Sequence, residues 1–465
     1  MPFQSLSFLL FFAFISVLMW FWKGPSRIWV LLLGSAGLYA SFRPAYLLVM
    51  LALIAWDYLW ARVIDAAEGK KKRWLLAVGI LANLSMLGSF KYMPFLTAQI
   101  NVLFNASFTW PVWVLPVGLS FHTFQGMAYL VEVYRKNIKA EQRLDVYALY
   151  ILFFPQLMAG PIERPQHLLP QIRNLASGQM NWPRFERGML LLVAGFFRKL
   201  VVADVLGILS APCFAQPQNF VGFPLFLSIL CFSIQIYADF SGYTLMARGA
   251  AHTLGVRLSH NFKYPYFALS MQDFWKKWHI SLSSWFKDYV YIPLGGSRQS
   301  FGMASAVLVL TFLLSGFWHG ANWNFLLWGL WNALWILLER YLQLHKLPLL
   351  LKRLYVWTIV FYGWIFFKVS NLNDLLHCLF FWFRGLRHSV PVFFESLYGL
   401  TAYHWFLAFV FSLWLFVSES HYFRQKFSLT LLRRPFGAIV LYILIILSFG
   451  QLFDNEQLNF IYFEF

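Results

Sequence analysis

The sequence predicts an all-α, polytopic integral membrane protein with about eleven transmembrane helices, plus re-entrant and interfacial helices around a central tunnel. Hydrophobic residues make up 60% of the 465-residue chain, and its mean hydropathy is +0.60. Charged residues make up only 12%, about half of what soluble domains carry. Apolar runs recur from end to end without an internal repeat. The chain, 1–465, is therefore expected to form a single domain, with a catalytic core at about 115–340.

The apolar runs justify the helices one after another, and several are shorter than the ~20 residues that a full crossing requires. Such short runs are expected to be re-entrant or half-buried. The run at 147–159 is one case, because the basic segments before and after it, 132–145 and 160–187, are both expected on the cytoplasmic side. The runs lie at 6–22, 28–42, 45–60, 74–90, 112–131, 147–159, 188–203, 220–238, 303–317, 323–338, 354–369, 404–418 and 436–452.

The net charge of +18 would indicate nucleic-acid binding in a soluble protein. In a membrane protein, basic residues collect in cytoplasmic loops beside anionic lipid. We therefore expect membrane lipid and no nucleic acid among the partners. Lys23 and Arg27 predict that the first loop is cytoplasmic, and the basic run 70–73 predicts the same for a loop after the third span.

Cysteine and glycine patterns exclude several kinds of site. Cys213, Cys231 and Cys378 lack CxxC spacing, so we expect packing residues rather than a disulfide framework or a zinc site. The sequence contains neither a Walker motif nor GxGxxG, and no tightly bound cofactor is expected. His122 lies inside an apolar run and is expected to be a core histidine.

The stretch 272–298 is too polar to span a membrane, and a helical wheel predicts that it is amphipathic. It is expected to lie on the membrane surface or in a partly buried groove. His279 falls at the edge of the apolar arc, where it either closes that arc or points inward towards His319. The arc consists of Trp275, Trp278, His279, Leu282, Trp285, Phe286 and Tyr289, and the opposite side of Lys276, Lys277, Ser283, Ser284, Lys287 and Asp288.

His319 is an ionisable residue between two apolar runs, flanked by Gly316 and Gly320. An imidazole at bilayer depth usually faces a bundle interior or a water-filled cavity. The glycines are expected to let the backbone bend or be approached closely, as where a substrate must reach the histidine. The alternative is a buried histidine that is hydrogen-bonded to a carbonyl at a helix end.

Two further polar stretches interrupt apolar segments. Asp239 opens the stretch DFSGY, where it either caps the following helix or contributes to a site. The stretch MAGPIERP at 158–165 contains a Gly-Pro turn followed by an acid and a base, and this pairing alone decides nothing.

These motifs, taken together, resemble a bacterial membrane-bound O-acyltransferase of the alginate O-acetylase and peptidoglycan O-acetyltransferase type. The resemblance runs nearly end to end, and its two most specific parts are QDFWKKWHISLSSWFKDYVYIPLGGSR at 272–298 and SGFWHGANWNFLLWG at 315–329. It also covers LPVGLSFHTFQGMAYLVEVYR, FFPQLMAGPIERPQHLLPQI and the final NFIYFEF at 459–465. The chain departs from it at His122, where relatives often have tyrosine, and at Lys276-Lys277, where an arginine pair is commoner.

The resemblance implies which residues form the site. The histidine of the WHG motif, His319, is implied to be the essential catalytic residue, and the histidine of WHISLS, His279, the second one. Oxyanion contacts are expected from Asn322, His279 or the Gly320 backbone. The other candidate substrate-binding residues are Trp318, Trp275, Trp278, Lys276, Lys277, Arg298 and Asp239.

The resemblance further implies acetyl transfer from a cytoplasmic thioester, acetyl-CoA, to a hydroxyl of an envelope polysaccharide, with a periplasmic O-acetyltransferase- or esterase-like partner. The protein is expected in the bacterial inner membrane. His319 would act as general base, or carry the acetyl group itself. The alternatives are D-alanyl transfer to teichoic acid, a transporter, which would require paired inverted halves, and a scaffold for the partner. The chain length leans towards the peptidoglycan type.

Overall fold

The computed structural model describes residues 3–111, 113–157, 160–385 and 402–419, and this part of the chain is helical throughout, with no β-strand. It divides into two compact units. The first unit lies within Met1–Leu192 and Thr244–His260, and the second within Val193–Tyr243 and Asn261–Phe465. The predicted all-α class is confirmed, whereas the assignment of the chain to a single domain stays a prediction.

Most of the helices follow the predicted apolar runs in order, with shifted ends, and six shorter helices, α5, α9, α11, α13, α14 and α18, lie outside those runs. The first ten are α1 Leu6–Phe21, α2 Ser26–Ala40, α3 Pro44–Ala66, α4 Gly69–Lys91, α5 Met93–Phe104, α6 Leu119–Tyr134, α7 Leu144–Leu152, α8 Phe154–Leu157, α9 Pro165–Asn174 and α10 Trp182–Phe196. A π-helix, Phe197–Ala203, continues α10. The later helices are α11 Asp204–Ala215, α12 Phe223–Thr253, α13 Met271–Lys277, α14 Ile280–Phe286, α15 Phe301–His319, α16 Trp323–Tyr341, α17 Leu349–Lys368, α18 Leu372–Phe380 and α19 Ala402–Glu419.

Five of the described helices, α3, α4, α12, α15 and α17, are long and apolar enough to cross a membrane. Shorter apolar helices accompany them, among them α1, α2 and α5. The chain is therefore a multi-pass membrane protein, and the figure of about eleven spans stays a prediction. The predicted run at 436–452 and the NFIYFEF motif lie outside the described residues.

The predicted run at 147–159 is divided between α7 and α8, which have 9 and 4 residues. Neither is long enough to cross a membrane, since a crossing needs ~20 helical residues. The segments on its two sides meet, because Arg173 donates a 2.8 Å hydrogen bond to Glu141. This contact supports the expectation that the segment turns back rather than crosses. Met158 and Ala159 of MAGPIERP lie outside the described residues.

Glu163, the acid of MAGPIERP, fastens the start of α9 to the loop after α12. Its side chain is fully buried. One carboxylate oxygen accepts the backbone N–H of Ser259 at 2.5 Å, and the other lies 2.7 Å from His167 Nδ1. The acid of this motif therefore has a structural position within the first unit.

Three expectations about element boundaries are wrong. The basic run 70–73 is the first turn of α4 rather than a loop, since α4 begins at Gly69. Asp239 does not cap a helix, because α12 continues unbroken for 31 residues around it. The stretch 272–298 is not one continuous helix: α13 ends at Lys277, and α14 begins at Ile280.

α15 and α16 cross at two glycines with almost no space between their backbones. A Cβ atom on Gly316 would lie 2.1 Å from the carbonyl oxygen of Phe325, and one on Gly329 would lie 2.3 Å from that of Phe312. A Cβ on Gly320 would lie 2.1 Å from the Phe325 ring. The predicted close approach at Gly316 and Gly320 is thus made by α16, and these glycines serve helix packing rather than substrate entry.

We expect Gly316→Ala to destabilise the protein by about 1–3 kcal/mol, because the added methyl group must push two backbones apart. Gly302→Ala is the matched control: it lies in the same helix, and its Cβ would meet nothing within 4 Å. Thermal unfolding in detergent should show a lower midpoint for Gly316→Ala and an unchanged or raised midpoint for Gly302→Ala. Equal midpoints for the two variants would contradict the packing role.

Candidate active site

His279 sits at the break between α13 and α14 in a left-handed backbone conformation, with φ of 41°. Hydrogen bonds from the chain around Asn261 hold the break on both sides. Ile280 N–H donates to Asn261 O at 2.9 Å, and Lys263 N–H donates to Lys277 O at 3.0 Å. The Asn261 side chain accepts the Ser281 hydroxyl at 2.6 Å. These bonds replace the helical ones and turn the His279 ring into the interior, where it is 1% exposed.

His319 is the last residue of α15 and is 5% exposed. Aromatic rings surround its imidazole. Their centroids lie 4.9 Å away for Trp318, 5.0 Å for Phe367 and 5.2 Å for Trp328. The ring therefore has an apolar setting.

The two imidazoles lie side by side in the second unit, with ring centroids 6.5 Å apart. His279 also packs edge-on against Phe240 at 4.7 Å and lies 6.2 Å from Trp318. Burial lowers the pKa of His279, which lies between two seven-residue helices, to about 3. At neutral pH, His279 is therefore an uncharged imidazole that can accept or donate a hydrogen bond.

The three predicted tryptophans have different positions. Trp318 contacts both histidines. Trp275 packs edge-on against Trp328 at 5.4 Å, and through that ring it is connected to His319. Trp278 belongs to a second aromatic cluster, 4.6 Å from Trp364 and 5.0 Å from Phe262.

Asn322 is the N-cap of α16. Its side-chain oxygen accepts the Asn324 N–H at 3.1 Å, and its amide lies 3.4 Å from the Ser370 carbonyl. The neighbouring Asn324 donates to the carbonyl of Val369. These contacts fix the turn that follows His319, and any contact of Asn322 with substrate stays a prediction.

A pocket of about 440 Å³, within the usual range for ligand pockets, is lined by Ile280, the neighbour of His279, and by other residues of α13 to α16, although neither histidine lines it. Lys276, Lys287 and Arg340 line it, and all three are exposed. Trp275 and Ser315 also line it, and Ser315 lies one helical turn before His319 on α15. The pocket thus has three cations at its surface. Its wall includes the Trp275 ring, which packs against Trp328, a neighbour of His319.

The other predicted basic residues are not brought to this pocket. Lys277 forms an ion pair with Asp273 at 2.7 Å, one turn away on α13. Arg298 is exposed in the short helical turn Gly296–Arg298, although its neighbour Ser297 does line the pocket.

Asp239 belongs to a buried ionic cluster that the sequence reasoning missed. Lys199 lies 2.6 Å from Asp204 Oδ1 and 3.0 Å from Asp239 Oδ1, and it is 1% exposed. Arg198, its neighbour on the π-helix, pairs with Glu419 at 2.7 Å. The sequence did contain a signal for this cluster, namely the adjacent cations Arg198 and Lys199 inside the apolar run 188–203. Charges at membrane depth require partners, so buried acids could have been expected near them.

His122 and the three cysteines have the positions expected of core residues. His122 is 3% exposed within α6. Cys213, Cys231 and Cys378 are free and buried.

Comparison with known proteins gives consistent results over most of the chain. Residues 103–372 match MBOAT, the membrane-bound O-acyltransferase family. A probable alginate O-acetylase AlgI from Pseudomonas putida is 35% identical over 384 residues, covering 80% of this chain and 78% of that protein. A peptidoglycan O-acetyltransferase from Helicobacter pylori is 33% identical, covering 76% and 73%. A teichoic acid D-alanyltransferase from Bacillus subtilis is 28% identical, covering 47% and 57%.

The family match includes both histidines, the pocket and the crossing of α15 with α16. Members of this family transfer acyl groups to hydroxyls. The helical membrane fold and the match over more than half of the chain lead to one conclusion: this chain is a polytopic O-acyltransferase that belongs to the membrane-bound O-acyltransferase family.

Proposed function

We propose that this protein takes an acetyl group from acetyl-CoA at the cytoplasmic face of the bacterial inner membrane. The acetyl group then passes across the membrane for O-acetylation of a cell-envelope polysaccharide, either peptidoglycan or an alginate-type polymer. The observation that carries the proposal is the 6.5 Å approach of the His279 and His319 rings, together with a pocket rimmed by cations. Relatives named alginate O-acetylase and peptidoglycan O-acetyltransferase support the acetyl group and the class of acceptor.

The proposed chemistry uses the two adjacent imidazoles. A hydroxyl is a poor nucleophile at neutral pH, and His319 accepts its proton while the oxygen attacks the thioester carbonyl, a contribution of about 10²–10⁴ in rate. The C–S bond then breaks, and the protonated His319 returns the proton to the departing thiolate. His279 donates a hydrogen bond to the carbonyl oxygen as it becomes negative. A route through an acetylated His319 uses the same atoms in two steps.

The pocket of about 440 Å³ fits a donor with a charged end and an uncharged arm. Phosphates pair well with lysine and arginine side chains. The rim of the pocket has three such side chains, those of Lys276, Lys287 and Arg340. The inner wall, at Trp275 and Phe312, is apolar and suits the arm that carries the thioester.

The acceptor is reached outside the cytoplasm, so we propose a periplasmic O-acetyltransferase- or esterase-like partner that completes the transfer to the sugar. Transfer of D-alanine to teichoic acid is the less supported alternative. The relative with that name is less similar and covers less than half of this chain.

The donor is tested with inside-out membrane vesicles supplied with radiolabelled acetyl-CoA. We expect label in the polymer fraction, competed by unlabelled acetyl-CoA and released by mild base. Labelling that requires a carrier-protein thioester and ignores acetyl-CoA would replace the proposal with the D-alanyl-type reaction.

Removing charge at the rim should weaken donor binding selectively. We expect Lys287→Gln with Arg340→Gln to raise the KM for acetyl-CoA about tenfold with little change in kcat, since two charge-assisted hydrogen bonds are lost. Lys277→Gln is the control, because Lys277 pairs with Asp273 instead of lining the pocket. An unchanged KM in the double variant would place the donor elsewhere.

A further inference from the structure

The first unit contains a concentration of arginines that the acyltransfer reaction does not use. α10 crosses the end of α12 at Gly188 and Gly249, where a Cβ on Gly249 would lie 2.7 Å from the Gly188 carbonyl oxygen. This crossing brings cations from two helices and the following loop together. The guanidinium groups of Arg184, Arg187, Arg248 and Arg257 all lie close enough to the buried His252 to act on its ring electrostatically.

A cavity of about 200 Å³ adjoins this arginine cluster and is lined by two of the unit's guanidinium groups, those of Arg27 and Arg184. Arg27 is 5% exposed, and its hydrogen bonds go to the carbonyls of Trp22 and Gly178. Arg184 donates to the Gly255 carbonyl at 3.0 Å. Carbonyls orient a guanidinium without cancelling its charge, so the cavity keeps two oriented positive groups.

Among the described residues, four arginines at the crossing and the cavity are not offset by carboxylates. Within the described part of the chain, none of Arg27, Arg184, Arg187 and Arg257 forms an ion pair with a carboxylate. By contrast, Arg173 in the same unit is paired with Glu141. Like charges held together raise the energy of the fold unless an anion joins them.

The loop that carries Arg257 is held in place rather than left to move away. Gln171 on α9 bonds both backbone groups of Arg257, donating to its carbonyl at 3.0 Å and accepting its N–H at 2.9 Å. The same Gln171 lines the cavity. The backbone that presents the Arg257 guanidinium is therefore fixed relative to the cavity.

Exposed tryptophans next to the cavity indicate the membrane level at which it opens. Trp182 starts α10, two residues before Arg184, and is 66% exposed. Its ring lies 6.4 Å from that of Trp20, which is 38% exposed, and 5.3 Å from Phe185. Tryptophans concentrate at the headgroup level of bilayers. An anion bound here would therefore be at the depth of a lipid phosphate.

We propose that this cavity and the arginines around it form a binding site for the phosphate of an anionic phospholipid headgroup. Phosphate oxygens would accept hydrogen bonds from Arg27 and Arg184, and the outer arginines would neutralise the remaining charge. The acyl chains would lie along the exposed tryptophans. The site is separate from the donor pocket, whose lining residues all belong to the second unit.

The test titrates the purified full-length protein in detergent with phosphatidylglycerol and follows its thermal midpoint. We expect phosphatidylglycerol to raise the midpoint and phosphatidylcholine at the same concentration to leave it unchanged. Arg187→Gln with Arg257→Gln should weaken the apparent affinity for phosphatidylglycerol at least fivefold, since one arginine near an anionic surface contributes about fivefold. Arg187→Lys with Arg257→Lys keeps the charge and should retain most of the affinity.

Lys71→Gln with Arg73→Gln is the matched control, because it removes the same charge from exposed positions on α4. Equal weakening in this control, or none in Arg187→Gln with Arg257→Gln, would overturn the site. Inorganic phosphate or glycerol 3-phosphate, added without lipid, is the test for a soluble ligand. A rise in midpoint with either one, as large as that with phosphatidylglycerol, would show a soluble phosphate site instead and overturn the assignment to lipid.

Discussion

His319→Ala should reduce O-acetylation by about 10²–10⁴, because the hydroxyl loses the group that accepts its proton during attack on the thioester. The measurement is acetate released by mild base from cells of the native host, taken separately from purified peptidoglycan and from exopolysaccharide. The polymer that loses acetate identifies the acceptor. His319 ends α15 among aromatic rings, so its loss is expected to leave membrane insertion intact.

Protein level and thermal midpoint are the controls for His319→Ala, and normal acetate at a normal protein level would refute the assignment. His279→Ala belongs in the same series. We expect a strong but smaller loss, because in the proposed mechanism His279 acts on the carbonyl oxygen, and the base His319 is still present in this variant. Near-normal turnover would make His279 a packing residue against Phe240, with which its ring is in contact at 4.7 Å.

Lys199→Met should destabilise the protein by about 3–5 kcal/mol, because it leaves buried carboxylates without their shared cation. Lys199 is 1% exposed and lies within 3.0 Å of both Asp204 and Asp239. Thermal or denaturant unfolding in detergent measures the loss.

Two variants decide whether charge balance is the cause. Lys199→Met combined with Asp204→Asn and Asp239→Asn removes the whole cluster and should recover much of the stability. Lys71→Met removes an exposed lysine and should change stability little. If the combined variant is no more stable than Lys199→Met alone, Lys199 acts through packing, and the ionic account fails.

The sequence predicted the fold well where the pattern depends on local hydrophobicity. Apolar runs matched most of the described helices, among them all five that are long enough to cross a membrane, whereas α5, α9, α11, α13, α14 and α18 lie outside the predicted runs. That the short run at 147–159 turns back stays a prediction. The predicted helix boundaries were wrong where tertiary contacts decide where a helix ends. The wheel over 272–298 assumed one continuous period, but Asn261 takes the backbone bonds at Ile280 and Ser281, and the helix breaks at His279.

The candidate site was predicted in part, for a similar reason. The family resemblance implied His279 and His319 as a pair, and their rings lie 6.5 Å apart in the structure. Asp239 was assigned to the site from its motif, whereas its carboxylate pairs with Lys199, 40 residues earlier in the chain. Such long-range pairing leaves no periodic trace in a sequence. Trp328 and Phe367, which enclose His319, went unnoticed because aromatic residues are common throughout the chain.

The left-handed backbone conformation of His279 has a consequence for the rate of the proposed acetyl transfer. Main-chain bonds hold the backbone on both sides of the bend at His279. In the proposed mechanism this backbone needs no rearrangement when the thioester arrives. A catalytic dipole that is already oriented avoids the reorganisation energy that water molecules would incur at the same position. Inserting one glycine into the bend should therefore slow turnover although every side chain is still present. Such a result would show that the orientation of His279, and not only its presence, contributes to the rate.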